Sequence, residues 1–216
     1  MSNEGLIAIS KNLKELPNIE KFILRENNIG DEGLKSLAAN LKFIKKLKIL
    51  NLNWNLISDE GIIALSLIKL PYLEHLSLNE NKITFKGMES LSLNLKNFVN
   101  LTKFDIGWNF VGKEGIKLFS EKMEILKNLN HIILSRTEMG DEGFIKFCEN
   151  MNKLKKLEVL YFWNNDITNI GGKIFYEKLN DMNDVKFIDL SVNKMSENVK
   201  QDIRDLCDIK HISYDI

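Results

Sequence analysis

One segment decides the fold: Leu47-Lys48-Ile49-Leu50-Asn51-Leu52-Asn53-Trp54-Asn55, followed by Ile57-Ser58-Asp59-Glu60-Gly61. Leucine alternates with other residues in its first part, which is typical of a short strand with one buried face. The serine and the two acidic residues of its second part are typical of a helix start. The segment therefore predicts a strand, a turn and the beginning of a helix.

The same pattern, written L-x-x-L-x-L-x-x-N-x-I-x-x-x-G, repeats along the whole chain. We number each copy from its first leucine, so that the asparagine stands at position nine. Successive position-nine residues are 28, 26, 28, 28, 28 and 28 residues apart: Asn27, Asn55, Asn81, Asn109, Thr137, Asn165 and Asn193. A glycine follows each of them six residues later, with Val199 as the one exception. The stretch Ile209-Lys210-His211-Ile212-Ser213-Tyr214 is interpreted as a final half-copy.

Each copy is expected to contribute one helix after its strand. Apolar residues at helical spacing, such as Leu34, Leu37 and Leu41, predict one buried helix face. Acidic residues in the first turn, such as Asp31 and Asp59, fit the helix macrodipole. Residues that can cap a helix occupy the start position of all eight copies: Ser2, Gly30, Ser58, Thr84, Gly112, Gly140, Thr168 and Ser196.

These elements predict the architecture. Because each strand reaches the next through a helix, the strands must run parallel, with all the helices on one side of the sheet. We predict a single domain over residues 1–216, built from about seven to eight repeats of 26–28 residues. It is expected to start with a helix and to end with a half-repeat strand.

The motifs from Leu47 to Asn55 and from Ile57 to Gly61 resemble leucine-rich repeats of the ribonuclease-inhibitor type, and the resemblance covers essentially the whole chain. It implies an α/β solenoid bent into a horseshoe arc, with the parallel sheet on the concave face and the helices on the convex face. It also implies that the position-nine asparagines bond to backbone groups of neighbouring turns. Thr137 has fewer hydrogen-bonding groups, so a weaker rung of this ladder is expected there.

The composition argues against two classes of binding partner. The 216 residues carry 30 Lys+Arg against 30 Asp+Glu, a formal net charge of zero, whereas nucleic acids and anionic membranes recruit proteins with excess basic charge. We therefore expect neither a nucleic-acid partner nor a membrane. Two cysteines make no disulfide framework, and the N-terminal segment lacks the basic region of a signal peptide. These features favour a monomeric cytoplasmic protein, with export by a microbe into a host cytoplasm as the alternative.

Two sequence features could indicate a catalytic site, but neither supports one. The segment from Gly107 to Glu114 matches the G-x-x-x-x-G-K part of a phosphate-binding loop, but Glu114 stands where a hydroxyl should meet magnesium. Cys148 is expected to be buried on the helix side of the sheet, away from every histidine, so no cysteine–histidine pair can form.

The histidines do not predict a metal site. His75, His131 and His211 are all interpreted as occupying position three of a strand. Strands are about 4.8 Å apart, so His75 and His131 lie two strand spacings apart with Lys103 between them, too far for one zinc ion. We expect no enzyme activity, no cofactor and no metal.

The residues at the exposed template positions indicate a binding surface. Tryptophan, tyrosine and arginine are frequent anchors of protein interfaces, and all three tryptophans of the chain fall on the exposed positions of the template. The predicted partner-binding residues are Trp54, Trp108 and Trp163, the apolar neighbours Ile133, Val159, Tyr161 and Phe187, and the polar or charged neighbours Asp105, His131 and Arg136.

We therefore predict a non-catalytic protein–protein interaction module that binds a protein partner on its concave face. By resemblance, ribonuclease-inhibitor-type repeats commonly grip a protein on this face and its adjoining loops, with tryptophans prominent. The alternative is a GTPase-activating or other regulatory protein, because activators of one small-GTPase group are built from similar repeats. Stimulation of GTP hydrolysis would distinguish the two.

Overall fold

The computed structural model describes residues 1–216, in which eight strands alternate with eight α-helices. The strands are β1 (Lys21–Ile23), β2 (Ile49–Asn51), β3 (His75–Ser77), β4 (Lys103–Asp105), β5 (His131–Ile133), β6 (Val159–Tyr161), β7 (Phe187–Asp189) and β8 (Ser213–Asp215). The helices are α1 (Asn3–Lys11), α2 (Asp31–Leu41), α3 (Asp59–Ser66), α4 (Phe85–Leu93), α5 (Gly112–Lys122), α6 (Gly140–Met151), α7 (Asn169–Asn180) and α8 (Glu197–Lys210).

The strands form one open parallel sheet in the order β1 to β8. Neighbouring strands pair without any shift in the template, so that Leu50 of β2 lies opposite Phe22 of β1 and Leu76 of β3. The middle residue of each strand from β1 to β7 is buried, and its two neighbours face the other way. The parallel sheet and the helix in every connection confirm the predicted leucine-rich-repeat solenoid.

A single hydrophobic core of 57 buried residues runs along the solenoid between the sheet and the helices. The apolar template positions fill it: Leu47, Leu50, Leu52 and Ile57 are each at most 2% exposed. Toward the C-terminal end the core becomes aromatic, with Phe162 at its centre and ring contacts of 5.0 to 5.4 Å among its neighbours. The apolar residues of the strands and those of the helices thus pack together in one core.

The position-nine asparagines form the predicted ladder. The Nδ2 atom of Asn55 donates to the carbonyls of Leu52 and Asn53 in its own repeat, at 2.9 and 3.1 Å. The same atom donates to the carbonyl of Leu24 in the preceding repeat at 2.9 Å, and its Oδ1 accepts from the backbone N–H of Ile29 at 3.0 Å. Each rung therefore ties two adjacent repeats through buried backbone groups.

Thr137 makes the weaker rung that its short side chain predicts. Its Oγ1 donates to the carbonyl of Leu134 at 2.9 Å and lies 3.2 Å from the Oδ1 of Asn165. It makes no bond to a carbonyl of the preceding repeat, where the equivalent group belongs to Ile106.

The variant Thr137→Asn is expected to stabilise the protein by about 1 kcal/mol, because its amide can add the missing bond to the carbonyl of Ile106. Thermal unfolding should show a melting temperature higher by roughly 2–4 °C. A lower melting temperature would show that the buried site has no room for the longer side chain.

Aspartate side chains form a second ladder at the helix starts. The Oδ1 of Asp31 accepts from the backbone N–H groups of Ser58 and Gly61 in the next repeat, at 2.8 and 3.0 Å. Asp59 and Asp141 accept the two equivalent N–H groups of the repeat that follows each of them. A Cβ atom on Gly61 would lie 2.7 Å from the Asp31 oxygen, and the same contact recurs at Gly87 and Gly171, so the ladder explains the glycine in these three repeats. The helix dipole alone does not account for these aspartates.

The ladder also changes the role of the predicted caps. The hydroxyl of Ser58 donates to the Oδ2 of Asp31 at 2.5 Å instead of capping its own helix. Only the Thr168 hydroxyl accepts from its own helix, from the N–H of Ile170. Gly112 and Gly140 were expected before their helices, but they are the first helical residues, with φ of +70° and +54°.

The last copy departs from the template. The helix α8 has 14 residues and continues through Ile209 and Lys210, so the strand β8 starts only at Ser213. The prediction of His211 at position three of a strand is therefore wrong. His211 ends α8 in the left-handed conformation, with φ of 57°.

Candidate functional site

No helix covers one face of the sheet, which we name the open sheet face. It is the concave face of the solenoid, and its residues stand at positions three, five and seven of the repeats. Position three supplies Lys21, Ile49, His75, Lys103, His131, Val159 and Phe187. Position five supplies Ile23, Asn51, Ser77, Asp105, Ile133, Tyr161 and Asp189. Position seven supplies Arg25, Asn53, Asn79, Gly107, Ser135, Trp163 and Ser191.

The strand register brings four of the predicted residues together, and we name them the apolar patch: Ile133, Val159, Tyr161 and Phe187. Ile133 lies opposite Tyr161, and Val159 lies opposite Phe187. The rings of Tyr161 and Phe187 are 5.1 Å apart and inclined by 46°. All four side chains are half-buried, so they pack on each other and still present apolar surface to a partner.

Two of the three tryptophans form a stacked pair. The rings of Trp108 and Trp163 are 5.3 Å apart and within 16° of parallel, although two strand spacings separate their repeats. The guanidinium of Arg136 lies 4.3 Å from the Trp108 ring, within cation–π range. The structure thus joins Trp108, Arg136 and Trp163 in one cluster.

The remaining tryptophan stands apart from this cluster. Trp54 lies on the same rim two repeats earlier and is 49% exposed. Position eight has a left-handed backbone in every complete repeat, with φ of 59° at Trp54, 54° at Trp108 and 51° at Arg136. Such values are uncommon for residues other than glycine and are strained for large side chains. No glycine marks this position, so no sequence signal predicted its conformation.

Asp105 departs from the prediction of an exposed charged neighbour. Its side chain belongs to the open sheet face, but the residue is only 6% exposed. Its Oδ1 accepts from the backbone N–H of Gly107 at 3.1 Å and from the Nδ2 of Asn79 at 3.4 Å. Burial raises the pKa of Asp105 to about 6, although both hydrogen bonds oppose the rise. The correction follows from packing, because strand alternation gives the direction of a side chain and not what covers it.

The raised pKa of Asp105 gives a testable pH dependence. Because the folded-state pKa lies above the ordinary value of 3.8, the native state binds the proton more tightly than the unfolded state. Ionised Asp105 therefore destabilises the fold, with no effect below pH about 4 and the full effect above pH about 6. Asp105→Asn should be the more stable protein at pH 7.5 by on the order of 2 kcal/mol, and the difference should vanish near pH 4. Urea unfolding at both pH values measures this, and a variant that is less stable at pH 7.5 would contradict it.

His131 lies on the open sheet face as predicted and is half-buried. Its Nδ1 is 2.8 Å from the Oδ1 of Asn130. Burial and the neighbouring Lys103 ammonium lower the pKa of His131 below its ordinary value, and the same two causes lower the pKa of His75. Both rings are therefore mainly neutral at pH 7.

The side-chain chemistry elsewhere is limited. No group of three or more histidine, cysteine or acidic side chains is arranged to hold a metal ion. Cys148 is 1% exposed, and burial raises the pKa of its thiol, which agrees with the predicted buried cysteine. None of the helices combines the length and the apolar character needed to span a membrane.

Comparison with known proteins shows a repeat similarity in part of the chain and a shared fold over nearly all of it. The family model described as Leucine Rich repeat matches three segments, at residues 15–38, 44–66 and 69–92. No curated protein sequence matches the chain significantly. Many solved chains share its fold. One is a structural-genomics target from Bacteroides fragilis, with 15% identity and a TM-score of 0.58 over 99% of this chain and 70% of that one. The three family matches show that residues 15–92 are similar to leucine-rich repeats. The same succession of strand, helix and position-nine residue continues through the rest of the solenoid.

Proposed function

We propose that the protein is a non-catalytic interaction module that binds a protein partner on the open sheet face, with its hot spot over the apolar patch and the Trp108–Trp163 pair. Leucine-rich repeats are in general protein–protein interaction modules, which supports the coarser part of this proposal. The observation that carries the finer part is the position of these rings. They stack on one another on a face that no other part of the chain covers.

Stacked, half-buried rings suit an interface for a physical reason. Their mutual contacts fix their positions before a partner binds, so little conformational entropy is lost on association. Aromatic rings and arginine also supply most of the binding free energy at typical hot spots. The cluster contains both aromatic rings and an arginine, because Arg136 lies over the Trp108 ring. Trp54 is proposed as an outer contact on the same rim.

The proposal also covers the domain organisation, the oligomeric state, the compartment and the repeat type of the protein. We propose that residues 1–216 act as one domain, as a monomer and in the cytoplasm, with repeats of the ribonuclease-inhibitor type. Full α-helices of 8 to 14 residues on the convex side support the repeat type. Two free cysteines suit a reducing compartment.

Affinity capture from the native cell type tests the proposal. The wild-type protein, the double variant Tyr161→Ala/Trp163→Ala and the control Tyr72→Ala are immobilised in equal amounts, and the captured proteins are quantified by mass spectrometry. Tyr72 is a matched control because it is an exposed aromatic residue in a helix-to-strand loop. The wild type and the control should capture the same partner, and the double variant should lose it. Equal capture by all three proteins would refute the proposed site.

A further inference from the structure

The open sheet face is divided by charge. Over β1 to β5 it carries basic or potentially basic side chains at positions three and seven: Lys21, Arg25, His75, Lys103 and His131. Asp105 is the only carboxylate on this part of the face, and it is buried. Over β6 to β8 the face has no basic residue and carries Asp189 and Asp215. The apolar patch, on β5 to β7, spans the boundary between the two halves.

Lys103 is at the centre of the basic half. The register places His75 of β3 and His131 of β5 directly opposite Lys103, one on each side. Lys103 is half-buried and takes part in none of the ion pairs of the molecule. An ammonium that has no ion-pair partner in its own chain can pair with a carboxylate that a partner presents.

None of the carboxylates around this row forms a direct ion pair with the Lys103 ammonium. Asp105 lies two residues along β4, but its carboxylate accepts bonds from Gly107 and Asn79. Glu158, at the start of β6, is already paired with Lys186 at 2.9 Å. The other charges that act on the two histidines are Glu74, which precedes His75, and the ammoniums of Lys21 and Lys186.

From this placement we propose that the protein partner presents an acidic side chain, aspartate or glutamate, to Lys103 between His75 and His131. The inference rests on the proposed function and specifies the chemistry of the partner. His131 lies directly opposite Val159 of the apolar patch. The partner's carboxylate must therefore lie close to the apolar or aromatic residue that fills the hot spot, and the two form one recognition element.

The histidines make this contact sensitive to pH. Their lowered pKa keeps them mainly neutral at pH 7, and acidification adds positive charge on both sides of Lys103. Protonation of Asp105 below pH about 6 removes a negative charge beside the row. A partner carboxylate stays ionised down to about pH 5, so its affinity should rise as the pH falls from 7.5.

A random dodecapeptide display library tests the proposal without knowledge of the partner. Peptides selected on the wild-type protein are kept if they fail to bind Tyr161→Ala/Trp163→Ala, which restricts the set to ligands of the open sheet face. These peptides should be enriched in aspartate and glutamate beside an aromatic or aliphatic residue. Lys103→Glu should weaken their binding on the order of tenfold. The control Lys96→Glu, at an exposed residue of the 3-10 helix Leu95–Phe98, should not.

A charge swap separates recognition from a structural effect. Replacing the acidic residue of a selected peptide by lysine should restore binding to Lys103→Glu and abolish binding to the wild type. Peptides that depend on the face without acidic enrichment, or a swap that restores nothing, would overturn this inference and leave the proposed function intact. If no selected peptide depended on Tyr161 and Trp163, both would be contradicted.

Discussion

Replacing Asn81 by alanine is expected to lower the free energy of unfolding by about 3–5 kcal/mol. The Nδ2 of Asn81 donates to the carbonyls of Leu52, Leu78 and Asn79 at 2.9 to 3.2 Å. Its Oδ1 accepts from the N–H of Ile57 at 3.1 Å. Alanine leaves these groups without partners where water has little access, and each unsatisfied group costs about 1–3 kcal/mol.

Equilibrium unfolding in urea measures this loss. Asn12→Ala is the matched control, because the Asn12 side chain makes one exposed bond, to the carbonyl of Ala8. The control should stay within about 0.5 kcal/mol of the wild type. A loss below 1 kcal/mol for Asn81→Ala would mean that water or a backbone shift satisfies the freed groups, and the ladder would then not be the main polar tie between repeats.

Replacing Trp163 by alanine is expected to weaken binding of the captured partner by about 2 kcal/mol or more, roughly thirtyfold. The loss has two sources. The indole itself is removed from the interface, and the Trp108 ring loses the neighbour that stacks on it at 5.3 Å. Since Trp163 stands on the open sheet face and not in the core, the fold should be spared.

Isothermal titration of the purified partner measures the affinity, and thermal unfolding checks the fold. Trp54→Ala is an informative comparison, because Trp54 is more exposed and lies outside the stacked pair. Its effect should be smaller than that of Trp163→Ala. Unchanged affinity for Trp163→Ala would remove it from the hot spot, and a collapse of the melting temperature would show that its ring supports the core.

The repeat made most of the fold predictable. The spacing of leucine, asparagine and glycine predicts strand direction and helix side, and the resemblance to ribonuclease-inhibitor-type repeats implies the asparagine ladder. The two faces of a short strand also follow from alternation, so the position of Tyr161 and Val159 on the open sheet face could be predicted.

Other features depend on contacts between repeats, which a single copy does not encode. The bonds from Asp31 to the next helix join residues that are 27 and 30 positions apart. From the sequence alone, an aspartate in the first turn of a helix is explained equally well by the helix dipole. The burial of Asp105 depends on neighbours from other strands. The stacking of Trp163 on Trp108 joins side chains from repeats that lie two strand spacings apart. Finally, His211 could not be placed because α8 runs past the template.

Hydroxyl-radical footprinting of the protein with its captured partner tests the central claim most directly, because aromatic side chains report their own solvent exposure without mutation. The account predicts that oxidation of Trp108, Tyr161 and Trp163 falls when the partner binds, while oxidation of Tyr72 and Tyr176, outside the open sheet face, stays the same. Protection of Tyr72 and Tyr176 with no change at Tyr161 and Trp163 would contradict it, since the partner would then bind away from the open sheet face.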